Sequence, residues 1–174
     1  MKKFLIPICL ITGISLGYAI ASLRVSNPTA NATTQPVDAT NHKAKDLVFH
    51  CADFRFKPME GLFVCSTCSE KKADVLSWAG GVKIINSDNP VLVEEALKNI
   101  GKLIETHGVE NIRLMNHLDC AGYGGSAKHE SPAAEHEFHK KELNRAAGIV
   151  QQKFPNVHIY KYIETFHEIK PLVP

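Results

Sequence analysis

The sequence predicts an α/β fold, a single domain with a mainly parallel central sheet flanked by helices. Short apolar runs suited to strands recur near residues 47, 74, 111 and 157, and segments of helical period lie between the later ones. Strands that alternate with helices of ten to twenty residues need crossover connections, and these bring strands together in parallel. Composition agrees: 44% of the 174 residues are hydrophobic and 22% charged, the balance of a chain with one buried core.

The first residues read as an address. Lys2 and Lys3 precede an apolar run from Phe4 to Leu23 that contains the triplet Ala19-Ile20-Ala21, the pattern of an export signal. Cleavage at the triplet leaves a soluble chain, whereas retention leaves roughly 20 apolar residues, enough to span a bilayer. Positive charge before the run puts the remainder outside in either case. Residues 1–23 are therefore expected to be a signal peptide or N-terminal membrane anchor, and the protein to be periplasmic or otherwise extracellular. It would touch the membrane only through residues 4–23. Residues 24–45, rich in Asn, Thr, Ala and Pro without a hydrophobic period, read as a flexible linker to a domain over 46–174. Cys9 lies within the apolar run and away from any chemistry.

Within the domain, Leu47 to His50 is a buried strand with Cys51 at its end. Pro58, tolerated in a first helical turn, starts a helix through about Cys65 with Met59, Leu62, Phe63 and Ser66 on one face. Asp74 to Trp78 is a second strand, closed by Ala79-Gly80-Gly81, where the backbone can turn tightly or approach a ligand. From Pro90 the period becomes helical, with Val93, Ala96, Leu97, Ile100, Leu103 and Ile104 on the inner face. Ser87 or Asp88 offers a cap and Gly108 a stop. Asn111 to Asn116 is a third strand that delivers His117, followed by a small-residue loop over 118–131. A helix from Pro132 to Lys153 carries Ala134, Phe138, Leu143, Ala147 and Val150 as its apolar stripe, and Val157 to Ile163 is a fourth strand.

Twenty basic and 18 acidic residues are interleaved, a net charge of +2 with no basic block, which excludes a nucleic-acid footprint. Nine histidines and five cysteines instead direct attention to metal or redox chemistry. In an open parallel sheet, ligands bind beyond the carboxyl ends of the strands. Cys51 and His117 stand at two such ends, and Cys120 follows three residues later. Two thiolates and an imidazole suit Zn2+, and three protein ligands leave the open fourth position of a catalytic site. Asp53 and Arg55, two and four residues beyond Cys51, fall on one side of an extended segment. Their bidentate pairing keeps the acid ionised and aimed at the metal, where it can accept a hydrogen bond from a metal-bound hydroxide or itself fill the open position.

The run Cys51-Ala52-Asp53-Phe54-Arg55 and the run His117-Leu118-Asp119-Cys120 resemble, in order and separation, the Cys-x-Asp-x-Arg and His-x-x-Cys signatures of beta-class carbonic anhydrases. The resemblance covers roughly Leu47 to Ile163, including an Ala79-Gly80 turn. It implies a beta-carbonic-anhydrase-like fold and a homodimer that reversibly hydrates carbon dioxide to bicarbonate. It also implies zinc on Cys51, His117 and Cys120, with Asp53 and Arg55 as the catalytic acid and its partner. Zinc would lower the pKa of its water toward about 7, and the hydroxide, oriented by Asp53, would attack carbon dioxide. The alternatives are a zinc-binding homologue that acts as an interaction module, or a hydrolase of a related small substrate such as carbonyl sulfide or carbon disulfide.

Other residues have plainer readings. Cys65 and Cys68 suit a short structural disulfide or two packed thiols before a redox pair or a second metal site. Cys51 and Cys120 could instead be bridged, which would leave Asp53, Arg55 and His117 without a role. His50, His129, His136 and His139 are proton-shuttle candidates by residue type. Glu135, His136 and His139 read as a solvated helix face, and Trp78 as core or as part of the pocket lining.

Overall fold

A computed structural model describes residues 39–173. The apolar run, its triplet, Cys9 and residues 24–38 of the expected linker lie outside the described residues. Among the described residues no helix is long and apolar enough to cross a membrane.

Strand β1 (Asp46–Cys51) is buried along its whole length because it lies between two neighbours and beneath helices on both faces. Helix α1 (Lys57–Thr67) leads to β2 (Asp74–Trp78), and α2 (Pro90–His107) to β3 (Asn111–His117). Helix α3 (Pro132–Lys153) leads to β4 (His158–Glu164) and the short β5 (Ile169–Pro171). The sheet order is β2-β1-β3-β4-β5, parallel except for the antiparallel edge pair β4–β5, which the sequence reading did not anticipate.

Alternation along the strands divides the core. Leu47, Phe49, Ile112 and Leu114 face Ala96 and Ile100 of α2 and Leu143, Ala146 and Val150 of α3. Val48 and Met115 face the other way, onto Phe63 of α1. The chain leaves β1 for β2 on one side and returns across β1 to β3 on the other. The carboxyl ends of β1 and β3 therefore flank a crevice at the point where the winding reverses.

Three local expectations are corrected. Helix α1 does not bury Met59, Leu62 and Ser66: Leu62 is 72% exposed, and the inner side is formed by Phe56, Glu60, Phe63 and Val64. Glu60 is drawn inward because His50, at the end of β1, hydrogen-bonds to its carboxylate. Helix α2 is capped by Asn89, whose side chain accepts from Val91 N at 3.0 Å, while Ser87 supports Asn89 itself. Helix α3 is not solvated at its start: Glu135 (3% exposed) and His139 (0%) continue the buried row Leu143, Ala146 and Val150 at intervals of three and four. They pack beneath the loop over 118–131, where polar groups meet them, so hydrophobic period does not mark them.

Candidate metal centre

Cys51 closes β1 and His117 closes β3, so the sheet brings together residues that lie 66 positions apart. The chain after His117 turns at Leu118-Asp119, with Asp119 in the left-handed region (φ 56°), and swings Cys120 back over the end of β1. The Cys51 and Cys120 sulfurs are 3.9 Å apart, and all three candidate ligand atoms lie within 4.8 Å of one another. That separation is far too long for a disulfide, whose sulfurs sit about 2 Å apart. Two sulfurs each about 2.3 Å from a tetrahedral zinc would lie about 3.8 Å apart, which matches.

The imidazole of His117 is already oriented. Its Nδ1 donates to the Leu118 carbonyl at 2.8 Å, which leaves the Nε2 lone pair free, and Nε2 is buried with no hydrogen-bond partner. An unpaired buried acceptor is costly, and a cation beside two sulfurs would satisfy it. The face of the ring lies on Phe56, with centroids 4.4 Å apart. The donor set and its geometry fit zinc.

Backbone groups prepare the sulfurs. Gly80 N–H points at Cys51 Sγ from 3.3 Å. The hydrogen bond from the Cys120 thiol has the largest influence on Cys51. Together with Gly80 N–H it outweighs burial and holds Cys51 well below the ordinary thiol range, while Cys120 is pushed up. One proton shared by two close sulfurs is what a divalent ion displaces. The approach requires glycine on both sides: Gly80 adopts φ 86°, and a Cβ on Gly122 would stand 2.6 Å from Gly80 Cα.

Asp53 and Arg55 form the expected fork. Arg55 Nε and Nη2 donate to Asp53 Oδ2 at 3.0 and 2.7 Å, and these bonds hold the Asp53 carboxyl down to about 2. Arg55 also reaches Asp119, through Nη1 to Oδ2 at 2.9 Å and Nη2 to the carbonyl at 3.0 Å. Arg55 thus ties the segment after β1 to the loop carrying Cys120. Asp53 Oδ2 lies 3.8 Å from His117 Nε2, beside the space between the three donors. Above it, Cys51, Ala52, Asp53, Phe54, Arg55, Ala79, Gly80, Ala121 and Gly122 line an open cleft of about 450 Å3. A larger groove of about 750 Å3 between α2 and α3 contains none of the five residues.

Several contributors escaped the sequence reading. Asp119 was visible only as a spacer within the His-x-x-Cys run. Glu135 accepts from Asp119 N at 2.6 Å and so supports the turn before Cys120. Glu164, opposite His117 in the β3–β4 register, is fully buried with both carboxylate oxygens unpaired, and burial pushes its pKa up to about 8. The four histidines differ. His50 is enclosed by Glu60, Lys57 and Ser77, His139 is fully buried, His129 is half-buried, and His136 is partly open to solvent on α3. Trp78, 38% exposed, is not core. Cys65 and Cys68 are free thiols, the first exposed and the second buried, and neither belongs to a three-residue metal cluster among the described residues.

A model of the family described as "Putative carbonic anhydrase" matches residues 41–173. An uncharacterized protein of Rickettsia bellii is 26% identical over 135 residues, spanning 71% of this chain and 78% of that protein. Among solved structures, carbonic anhydrase from Streptococcus mutans superposes with a TM-score of 0.50 at 12% identity, covering 80% of this chain and 87% of that one. Carbonic anhydrase from Glaciozyma antarctica gives 0.52 at 13% identity, covering 75% and 83%. At these identities the structural likeness speaks for the fold.

Proposed function

Because the chain belongs to the carbonic anhydrase family, as a divergent member, we propose that it catalyses the zinc-dependent reversible hydration of carbon dioxide to bicarbonate. Cys51, His117 and Cys120 would hold the ion. The observation that carries this reading is the pair of sulfurs 3.9 Å apart beside the unpaired Nε2 of His117. Zinc, when bound, would lower the pKa of a water it holds to about 7 and so supply a nucleophile at neutral pH.

The chain's own residues do the rest. Asp53, kept ionised by Arg55, can only accept hydrogen bonds, so it orients a water in the adjoining space with a lone pair toward the cleft. Arg55 holds that carboxylate in place and, through Asp119, keeps the Cys120 loop in register. Ala52, Ala79, Ala121 and the glycines give the cleft a small, largely apolar lining suited to an uncharged linear molecule. The proton leaves to solvent through the open mouth.

A homodimer is supported by Phe54 (81% exposed), which lines the cleft, and by Trp78, exposed on β2, the edge strand of the sheet among the described residues. Export, with or without a retained anchor, rests on Lys2, Lys3 and the apolar run behind them.

Stopped-flow hydration of carbon dioxide by the full chain tests the function. Activity is expected to fall by about 100-fold or more in Asp53→Ala while zinc content is unchanged. Zinc without hydration, but with turnover of carbonyl sulfide or carbon disulfide, would change the substrate. Zinc with no turnover at all would make the chain a binding module.

A further inference from the structure

A second group of metal-type side chains lies behind the first. His129 comes from the loop over 118–131, and Glu135 and His139 stand one turn apart on α3. One donor atom from each lies within 4.8 Å of the other two, none shared with the first centre. Glu135 Oε1 is 3.8 Å from His139 Nε2.

The pocket is short of one partner. Nε2 of His129 and Nε2 of His139 are both buried and both lack a hydrogen bond, and His139 is fully enclosed. Buried polar atoms are paired in the great majority of cases, so two orphans aimed at one carboxylate need an explanation. Among the described residues no second protein group fills the gap: Tyr123 and Phe138 present rings around His129 and His139. Glu135 brings two acceptor oxygens into this enclosure, and the hydrogen bonds they accept, from Asp119 N and Ser126 Oγ at 2.6 and 2.7 Å, leave lone pairs free.

From this geometry we infer that His129, Glu135 and His139 form a second site for a divalent cation of the zinc class. Two imidazoles and one carboxylate are a known zinc donor set, and one positive ion satisfies both orphan nitrogens and the carboxylate together. Without sulfur the set would also accept cobalt or nickel. Asn116 Nδ2 lies 3.3 Å from His139 Nδ1; turning the amide over puts its oxygen there instead, to accept from Nδ1–H and free Nε2 for the metal. The exchange gives up the long bond that Oδ1 accepts from Val82 N at 3.4 Å, whereas Tyr123 Oη, which accepts from Nδ2 at 3.4 Å, can donate to the oxygen instead. The ion's role is structural. Glu135 holds the Asp119 backbone, so a cation there pins the loop over 118–131 that presents Cys120.

This inference does not depend on the proposed hydratase reaction, and one experiment separates them. The untagged full chain is equilibrated with excess zinc, desalted, and its zinc counted by mass spectrometry. Two ions per chain are expected in the parent, one in His129→Phe and one in Cys120→Ser. Phenylalanine keeps a ring against Phe138 but offers no ligand, and His139→Gln provides a second reading of the same ion. Cobalt loaded into Cys120→Ser should show d–d bands without thiolate charge transfer, and His129→Phe should abolish them. A parent that holds one zinc, lost in Cys120→Ser and retained in His129→Phe, overturns the second site and leaves the first standing. The converse pattern supports the second site and removes the first. Two ions retained in both His129→Phe and His139→Gln, or none in the parent, also overturn it.

Discussion

Glu164 is the residue with the most to say about solution behaviour. It sits at the carboxyl end of β4, facing the side of the sheet that carries Glu60 and His117, with neither oxygen hydrogen-bonded. Burial, with the nearby Glu60 charge, raises its pKa from an ordinary 4.5 to about 8. Between those values the unfolded chain gives up the proton while the folded chain keeps it, so the folded state binds more protons and stability falls as pH rises. In the chelated chain, denaturant unfolding should therefore lose up to about 1.4 kcal/mol per pH unit across that window, a few kcal/mol in all. Glu164→Gln should flatten the difference. An unchanged slope in that variant would mean the carboxyl is ionised in the fold. Nothing in the sequence around Glu164 signals burial: a glutamate at the end of an alternating strand reads as solvent-facing, and the neighbours that enclose it come from α1 and β3.

Elements are joined by a buried ion pair that hydrophobic patterning could not reveal. Arg113 in the middle of β3 donates to Asp46 at the start of β1, with Nη2 2.8 Å from Oδ1, and reaches Tyr162 Oη on β4 at 3.0 Å. Asp46 also accepts from Ser69 N at 2.7 Å, which anchors the chain after α1. Two strands and a helix exit therefore meet at one fully buried carboxylate. Asp46→Ala should cost about 3–5 kcal/mol by urea unfolding, because it strands a buried guanidinium. Replacing Asp46 and Arg113 together by apolar residues should recover much of that loss. A single variant within about 1 kcal/mol of the parent would show that Arg113 finds water instead. Elements whose signals were local were legible in the sequence: β2 and α3 have the expected bounds, and Gly108 ends α2 in the left-handed conformation. The α1 face was not, since the residue that turns inward there is Glu60, drawn in by His50 ten positions earlier.

At the scale of the whole molecule, the proposed homodimer follows from what this fold leaves uncovered. Phe54 stands exposed at the cleft, Trp78 is exposed on β2, and β2 is an edge strand among the described residues. Sedimentation should give the mass of two chains at micromolar concentration, and Phe54→Asp should shift it to one. A monomeric parent would remove the proposal. The same scale separates what sequence alone could determine from what folding had to decide. Cys51, Asp53, Arg55, His117 and Cys120 were readable because their spacing is short-range: each run sits on one strand end, where local geometry sets which side chains point together. The α/β class was readable for the same reason, since strand and helix periods are properties of neighbouring residues. That the two runs converge, that Glu135 and His139 turn inward beneath a loop, and that Glu164 and Arg113 are enclosed, depend on contacts between residues far apart in the chain. For a charged or polar side chain, period carries no sign of burial; only the partners that the tertiary structure brings to it decide whether it faces water or the core.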